Sequence, residues 1–124
     1  MKINEIAFTV LPVLDLRKSR PFYEQVLGLK PTMVYEKDGM GLIEYDIGAG
    51  TLAIGCGAPI LKPSKDGGAV ALEVENFDAA IATLKEHGVP FKVENRETPV
   101  CHMAIVTDPD GNHLIIHKRK PRRA

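Results

Sequence analysis

The sequence predicts an α+β domain of two tandem β-α-β-β-β modules whose strands form a cupped, mixed β-sheet. Two observations carry this. Val13-Leu-Asp15-Leu16, followed by a helix closing near Gly28, returns about 61 residues later as Val74-Glu-Asn76-Phe77, with a helix closing at Gly88. Asp46–Ile54 then overlays Asp108–Ile116 without a gap, at an offset of 62. In such a repeat each copy is one supersecondary unit that needs its neighbour to bury a face, so equivalent positions in the two copies are expected to line a common cavity.

Residues 4–14 (NEIAFTVLPVL) are β-branched and aromatic and predict the first strand, with Pro12 unable to donate a ladder bond near its end. Asp15 offers a helix N-cap, and Leu16, Phe22, Val26 and Leu29 recur at roughly helical spacing up to Gly28. Pro21 disturbs this helix: either Ser19 is a second cap with Pro21 in the first turn, or the helix is kinked. Strands are predicted over 32–36, 41–47 and 51–56, the last two joined by the tight turn Gly48-Ala-Gly50. Prolines and glycines make residues 57–68 a connection. The second copy continues with strand 69–74, a helix from cap Asn76 to His87, strands 91–95 and 100–107, the turn Asp108–Asn112, and strand 113–118. The expected organisation is one domain: module one over about 1–57, connection 58–68, module two over 69–118, and a basic tail 119–124.

At 124 residues the chain is long enough for one core, removing roughly two thirds of its unfolded surface from water. Sixteen basic and sixteen acidic residues balance, but Lys118, Arg119, Lys120, Arg122 and Arg123 crowd the C-terminus, and without them the body carries a net of −5. A nucleic-acid footprint needs a basic face on the folded part, so no nucleic-acid partner is expected and the tail reads as a solvated terminus. Cys56 and Cys101 have neither disulfide-framework nor zinc-finger spacing. No apolar run approaches the ~20 residues that span a bilayer, and the first residues lack the apolar stretch of a signal peptide, so a soluble cytoplasmic protein is expected.

The tandem module, the motif Asp15-x-x-x-Ser19-x-x-Phe22-Tyr23-x-x-Val26-Leu27-Gly28-Leu29 and the turn Asp108-Pro-Asp-Gly-Asn112 resemble the vicinal oxygen chelate superfamily, the family of glyoxalases, bleomycin resistance proteins and extradiol dioxygenases. The resemblance covers essentially the whole chain. In metal-using members it implies His and Glu ligands from the first and last strands of each module, which suit a divalent ion with open positions for substrate oxygens. Carried onto this chain, the last-strand glutamate position is Ile115 and its repeat partner is Ala53. The position seven residues before the cap Asn76 is Ala69. The same count from Asp15 gives Phe8, or Glu5 if Pro12 marks an insertion. Ala, Ile and Phe offer a metal no lone pair, so no metal or other cofactor is expected.

Strand alternation places further residues around these positions. Thr51, His113 and His117 share the Ala53 and Ile115 face, and Ala71 and Glu73 share that of Ala69. In the penultimate strands Ile43, Ile105, Cys101 and Met103 are expected on the helix-covered side, with Glu44, His102 and Ala104 facing the cavity; Tyr45 is the alternative to Glu44. Antiparallel pairing is expected to bring His102 close to His117. The candidate ligand-binding residues are therefore Phe8, Val10, Thr51, Ala53, Ala69, Ala71, Glu73, His113 and Ile115, with His102, His117 and Glu44 as acid–base groups. His87 at a helix C-terminus reads as structural.

This set supports three functions. The leading one is metal-independent binding of a small molecule. The second is a lyase or isomerase acting on a small oxygenated substrate through histidine acid–base chemistry. The third is a metal-dependent glyoxalase or dioxygenase with an unorthodox site built from Glu5 and histidines. Because an isolated half-barrel would expose an apolar cup, a homodimer is the expected assembly.

Overall fold

A computed structural model describes residues 1–59 and 61–121. The chain divides into two compact units, residues 1–64 and 65–124. Each holds a four-stranded mixed sheet, ordered β1-β4-β3-β2 in the first and β5-β8-β7-β6 in the second. Among the described residues no helix is long and apolar enough to cross a membrane.

In the first unit β1 (Thr9–Pro12) runs parallel to β4 (Gly50–Cys56), which pairs antiparallel with β3 (Met40–Ile47), itself paired with β2 (Met33–Lys37). The predicted first strand, residues 4–14, is thus shortened at both ends to Thr9–Pro12. Thr9 already pairs with Leu52, and β4 begins at Gly50, so residues upstream of Ala7 have no strand opposite them. Ile3 and Ile6 accordingly stand about four-fifths exposed.

Asp15 caps α1 (Leu16–Pro21), its carboxylate accepting from the Arg17 N–H. Pro21 ends the regular helix. Lacking an N–H, and with its ring against the carbonyl of the preceding turn, it cannot sustain the α-helical ladder. The chain widens into a π-helical turn, Phe22–Val26, closed by the Leu27 N–H donating to the Phe22 carbonyl. Ser19 is a buried interior residue of α1, so the second-cap alternative does not hold. Widening the turn brings Tyr23 onto Tyr45, stacked at 6.0 Å, and Glu24 under the Tyr45 hydroxyl. Leu11, Val13, Leu16, Phe22, Ile43, Leu52 and Ile54 are buried with them, and Ala53 is buried on the opposite sheet face.

The second unit repeats the plan. β5 (Ala69–Glu73) runs parallel to β8 (His113–Arg119), which pairs antiparallel with β7 (Cys101–Thr107), and β7 with β6 (Phe91–Glu97). Helix α2 (Phe77–Glu86) is capped by the Asn76 side chain accepting from the Ala79 N–H. It covers the sheet face of Leu114, Ile116, Ala104 and Val106, all 2% exposed or less. His87 comes directly after the helix and its Nδ1 meets the Thr83 carbonyl at 2.9 Å, a structural placement.

The hairpin between β7 and β8 differs from its counterpart, and this reverses one expectation. Thr51 pairs with Asp46 across four intervening residues, whereas His113 pairs with Thr107 across five. One extra residue in the turn shifts β7 by one position and turns over every side chain on it. The offset of 62 therefore holds for β4 and β8 but becomes 61 for β3 and β7. Two further differences lie at the C-terminus. Arg119 belongs to β8, and Lys120 is held by an N–H bond to the Val100 carbonyl and an ion pair with Glu97, so neither is part of a free tail. Residues 122–124 of the expected tail, and Ile60 of the connection, lie outside the described residues.

Candidate functional site

In the first unit the sheet face turned away from α1 carries Val10, Ala53 and Glu44 in a row. Val10 and Glu44 are the register partners of Ala53 on either side. Ala53 is fully buried and Glu44 half-buried, with Met33 of β2 as its other neighbour. Glu44 and not Tyr45 occupies this face, because Tyr45 is buried on the helix side against Tyr23. Thr51 is on the same face, but its hydroxyl donates to Asp46 at 2.8 Å. Leu42 and Leu61, which sequence reasoning missed, extend the apolar surface around Gly55. A Cβ at Gly55 would lie 2.8 Å from Leu61 Cδ1, so the missing side chain is what admits the leucine.

The parallel registers also settle the position of Phe8. Val10 opposite Ala53 corresponds to Ala71 opposite Ile115, so Phe8 corresponds to Ala69, one residue before β1 starts. Pro12 sits in unbroken pairing with Gly55, without an insertion, so Glu5 is not in register with this position.

In the second unit the face turned away from α2 carries Ala69, Ala71 and Glu73 on β5 beside His113, Ile115 and His117 on β8. All six are exposed or half-buried within the chain. On the β7 side the partners are Met103 for His117 and Ile105 for Ile115. His102 is on the other face, its ring 5.8 Å from that of Phe77 on α2, and Ala104 beside it is fully buried. The expected placement of His102 and Ala104 in the cavity, with Met103, Ile105 and Cys101 on the helix side, is therefore reversed, and His102 and His117 do not form a pair. Cys101 is nonetheless buried, its sulfur 3.2 Å from the Thr98 hydroxyl.

The polar centre of this face is a pair whose geometry the sequence did not reveal. His117 Nδ1 and Glu73 Oε1 are 2.6 Å apart, and Glu73 Oε2 accepts from the Arg119 N–H at 2.8 Å. These bonds, the backbone one foremost and then that from His117, hold the Glu73 carboxyl below its ordinary value. The carboxylate therefore stays charged to lower pH than an unpaired one. A length of 2.6 Å suits a charge-assisted bond. The residue count of the Asp108–Asn112 turn was a usable signal for the face of His102, since it sets the parity of β7, but it says nothing of this pair.

A groove of about 530 Å³ in the first unit, bounded by residues 14–18, 36–40 and Cys56, contains none of the expected site residues.

The donor set can be tested against a glyoxalase-type metal. The four positions carry Phe8, Ala53, Ala69 and Ile115, whose side chains have no nitrogen, oxygen or sulfur, so the residues do not fit a metal held in that way.

Two mixed four-stranded sheets in this order, each built on a β-α-β-β-β unit, define the vicinal oxygen chelate fold. The chain belongs to the glyoxalase/bleomycin resistance protein/dioxygenase superfamily, whose description it matches over residues 2–116. It is 27% identical to lactoylglutathione lyase of Schizosaccharomyces pombe, over 90% of this chain and 46% of that protein. The chain thus spans about half the length of this curated relative. Among solved structures, TnmS3, an antibiotic binding protein from Streptomyces sp. CB03234, superposes with a TM-score of 0.82 at 23% identity, covering 97% of this chain and 99% of that one. Leishmania major glyoxalase I, described as trypanothione-dependent, superposes with a TM-score of 0.75 at 25% identity, covering 94% and 87%.

Proposed function

We propose that this protein is a metal-independent, small-molecule-binding member of its superfamily. The observation that carries the reading is the apolar side chain at each of the four positions the resemblance assigns to metal ligands: Phe8, Ala53, Ala69 and Ile115. The ligand contacts on this reading are Val10, Thr51 and Ala53 with Phe8 in the first unit, and Ala69, Ala71, Glu73, His113 and Ile115 in the second. Apolar surface with a few placed polar groups is the composition of a small-molecule site. The fold shared with an antibiotic binding protein is compatible with the same reading.

A lyase or isomerase is the second reading. The His117–Glu73 pair favours it, since an imidazole backed by a carboxylate is a general-base arrangement. Glu44, on the face of the first unit, is a separate candidate acid–base group. The 27% likeness to a lactoylglutathione lyase is compatible with it. His102, packed against Phe77, is no longer among the acid–base groups of this reading. A homodimer in the cytoplasm completes the proposal; the exposure of Ile3, Ile6 and Phe8 supports the dimer.

The decisive experiment is the metal content of untagged protein purified without chelator, with thermal melts in nickel, zinc, manganese and iron(II). A specific metal at 100-fold its dissociation constant would add about 2.7 kcal/mol and raise the melting point by several degrees. The expected result is substoichiometric metal and no shift. Stoichiometric metal with a shift would overturn the reading and direct assays to thiol–dicarbonyl adducts and catechols.

A further inference from the structure

We propose that His117 and Glu73 form one proton-accepting unit whose ligand is a hydroxylated molecule, a phenol or an enol, giving its O–H proton to Nε2 of His117. This rests on reading the β5–β8 face as a small-molecule site and names the chemistry that site selects.

The parallel register places Glu73 directly opposite His117, and both carboxylate oxygens are engaged, one by Nδ1 and one by the Arg119 N–H. An ionised carboxylate only accepts hydrogen bonds, so Nδ1 carries the hydrogen. In the neutral ring Nε2 is then the lone-pair acceptor. Among the described residues no hydrogen bond reaches Nε2. It is an unclaimed acceptor on a face that also carries the apolar side chains of Ala71, Ile115 and Met103.

A ligand O–H is the complement of that acceptor; an ether or ketone at the same place is not. Transfer breaks the ligand O–H bond and forms Nε2–H. It leaves an oxyanion beside an imidazolium whose charge Glu73 balances. The titratable or charged groups on this face are Glu73 from β5, Arg96 from β6, Cys101 from β7, and His113 and Arg119 from β8 itself, while α2 covers the other face. His117 is the residue that touches the ligand. Glu73 is a positioning residue acting through it.

The test uses para-nitrophenol and its methyl ether, para-nitroanisole, as probes on the full chain, with binding measured by calorimetry and by the visible band of nitrophenolate. The expected result is that the phenol binds roughly tenfold more tightly than the ether. Bound, it should show the nitrophenolate band at a pH where the free probe is still protonated. In Glu73→Gln a single amide oxygen must serve two donors, the His117 ring and the Arg119 N–H. The apparent ionisation of the bound probe should then move back toward that of the free probe, with affinity for the ether unchanged. His117→Gln should abolish the preference for phenol over ether. Because the probe pair is compared first on the unaltered protein, the result does not depend on either variant folding. Equal affinity for the two probes, or a band unmoved by Glu73→Gln, would refute the dyad while ether binding left the small-molecule reading standing. Binding of neither probe would overturn both.

Discussion

The Asp108 carboxylate organises the turn before β8. Its Oδ1 accepts from the N–H groups of Asp110 and Asn112 at 2.9 and 2.8 Å, and its Oδ2 from the Asn112 side-chain amide at 2.8 Å. Asp108 and Asn112 are 5% and 1% exposed, so the Asn112 donors have little access to water if the acceptor is removed. Asp108→Ala is expected to destabilise the protein by about 2–3 kcal/mol, read as a lower urea midpoint at unchanged slope. Gly57 is the other residue with a specific steric reason. Its φ is +85°, and a Cβ there would sit 2.2 Å from the Gly39 carbonyl oxygen, a backbone atom that cannot rotate away. Gly57→Ala is expected to cost about 1–3 kcal/mol, measured by the same denaturation.

The π-helical turn is held by an ionic network. Glu24 Oε2 accepts from Arg20 Nε at 2.6 Å and from the Tyr45 hydroxyl at 2.9 Å. Burial raises the Glu24 pKa, but the bonds from Arg20 and Tyr45, with the Arg20 charge, outweigh it and hold the group below its ordinary value of 4.5. The folded pKa is depressed, so the stabilisation is present above the unfolded value and is lost as pH falls through the folded one. Burial, with the bond to anionic Glu24, pushes the Tyr45 phenol up, so its contribution is present below the unfolded value and lost at strongly alkaline pH. Glu24→Gln is therefore expected to lower stability at neutral pH, by a margin that shrinks as the pH drops below the carboxylate range. Urea midpoints of the two proteins at neutral and acid pH measure this, and a margin that does not change with pH would assign the effect to packing instead.

For the whole molecule, the proposed homodimer predicts a sedimentation mass of twice the chain at micromolar concentration, and Ile6→Asp with Phe8→Asp should shift it toward monomer if the exposed N-terminal side chains form the contact. Legibility of the fold came from locality. The repeat, the caps Asp15 and Asn76 and the alternation of faces along β4, β5 and β8 depend only on helical spacing and strand parity within a few residues, and the structure has each. Three features were not legible. Pro21 announced a disturbance, but only packing on Tyr45 shows that the chain widens into a π-turn. The face of His102 depends on one residue in the length of the Asp108–Asn112 turn, and a slip of one residue exchanges the two sides of a strand. The bond between Glu73 and His117 joins residues 44 apart, and no local pattern specifies it. The sequence by itself determined the elements, their order and the absence of donors at the four ligand positions, because these are properties of residue type and short-range period. Tertiary structure alone decided which histidine has a carboxylate partner, because register across parallel strands is set by the pairing of whole sheets.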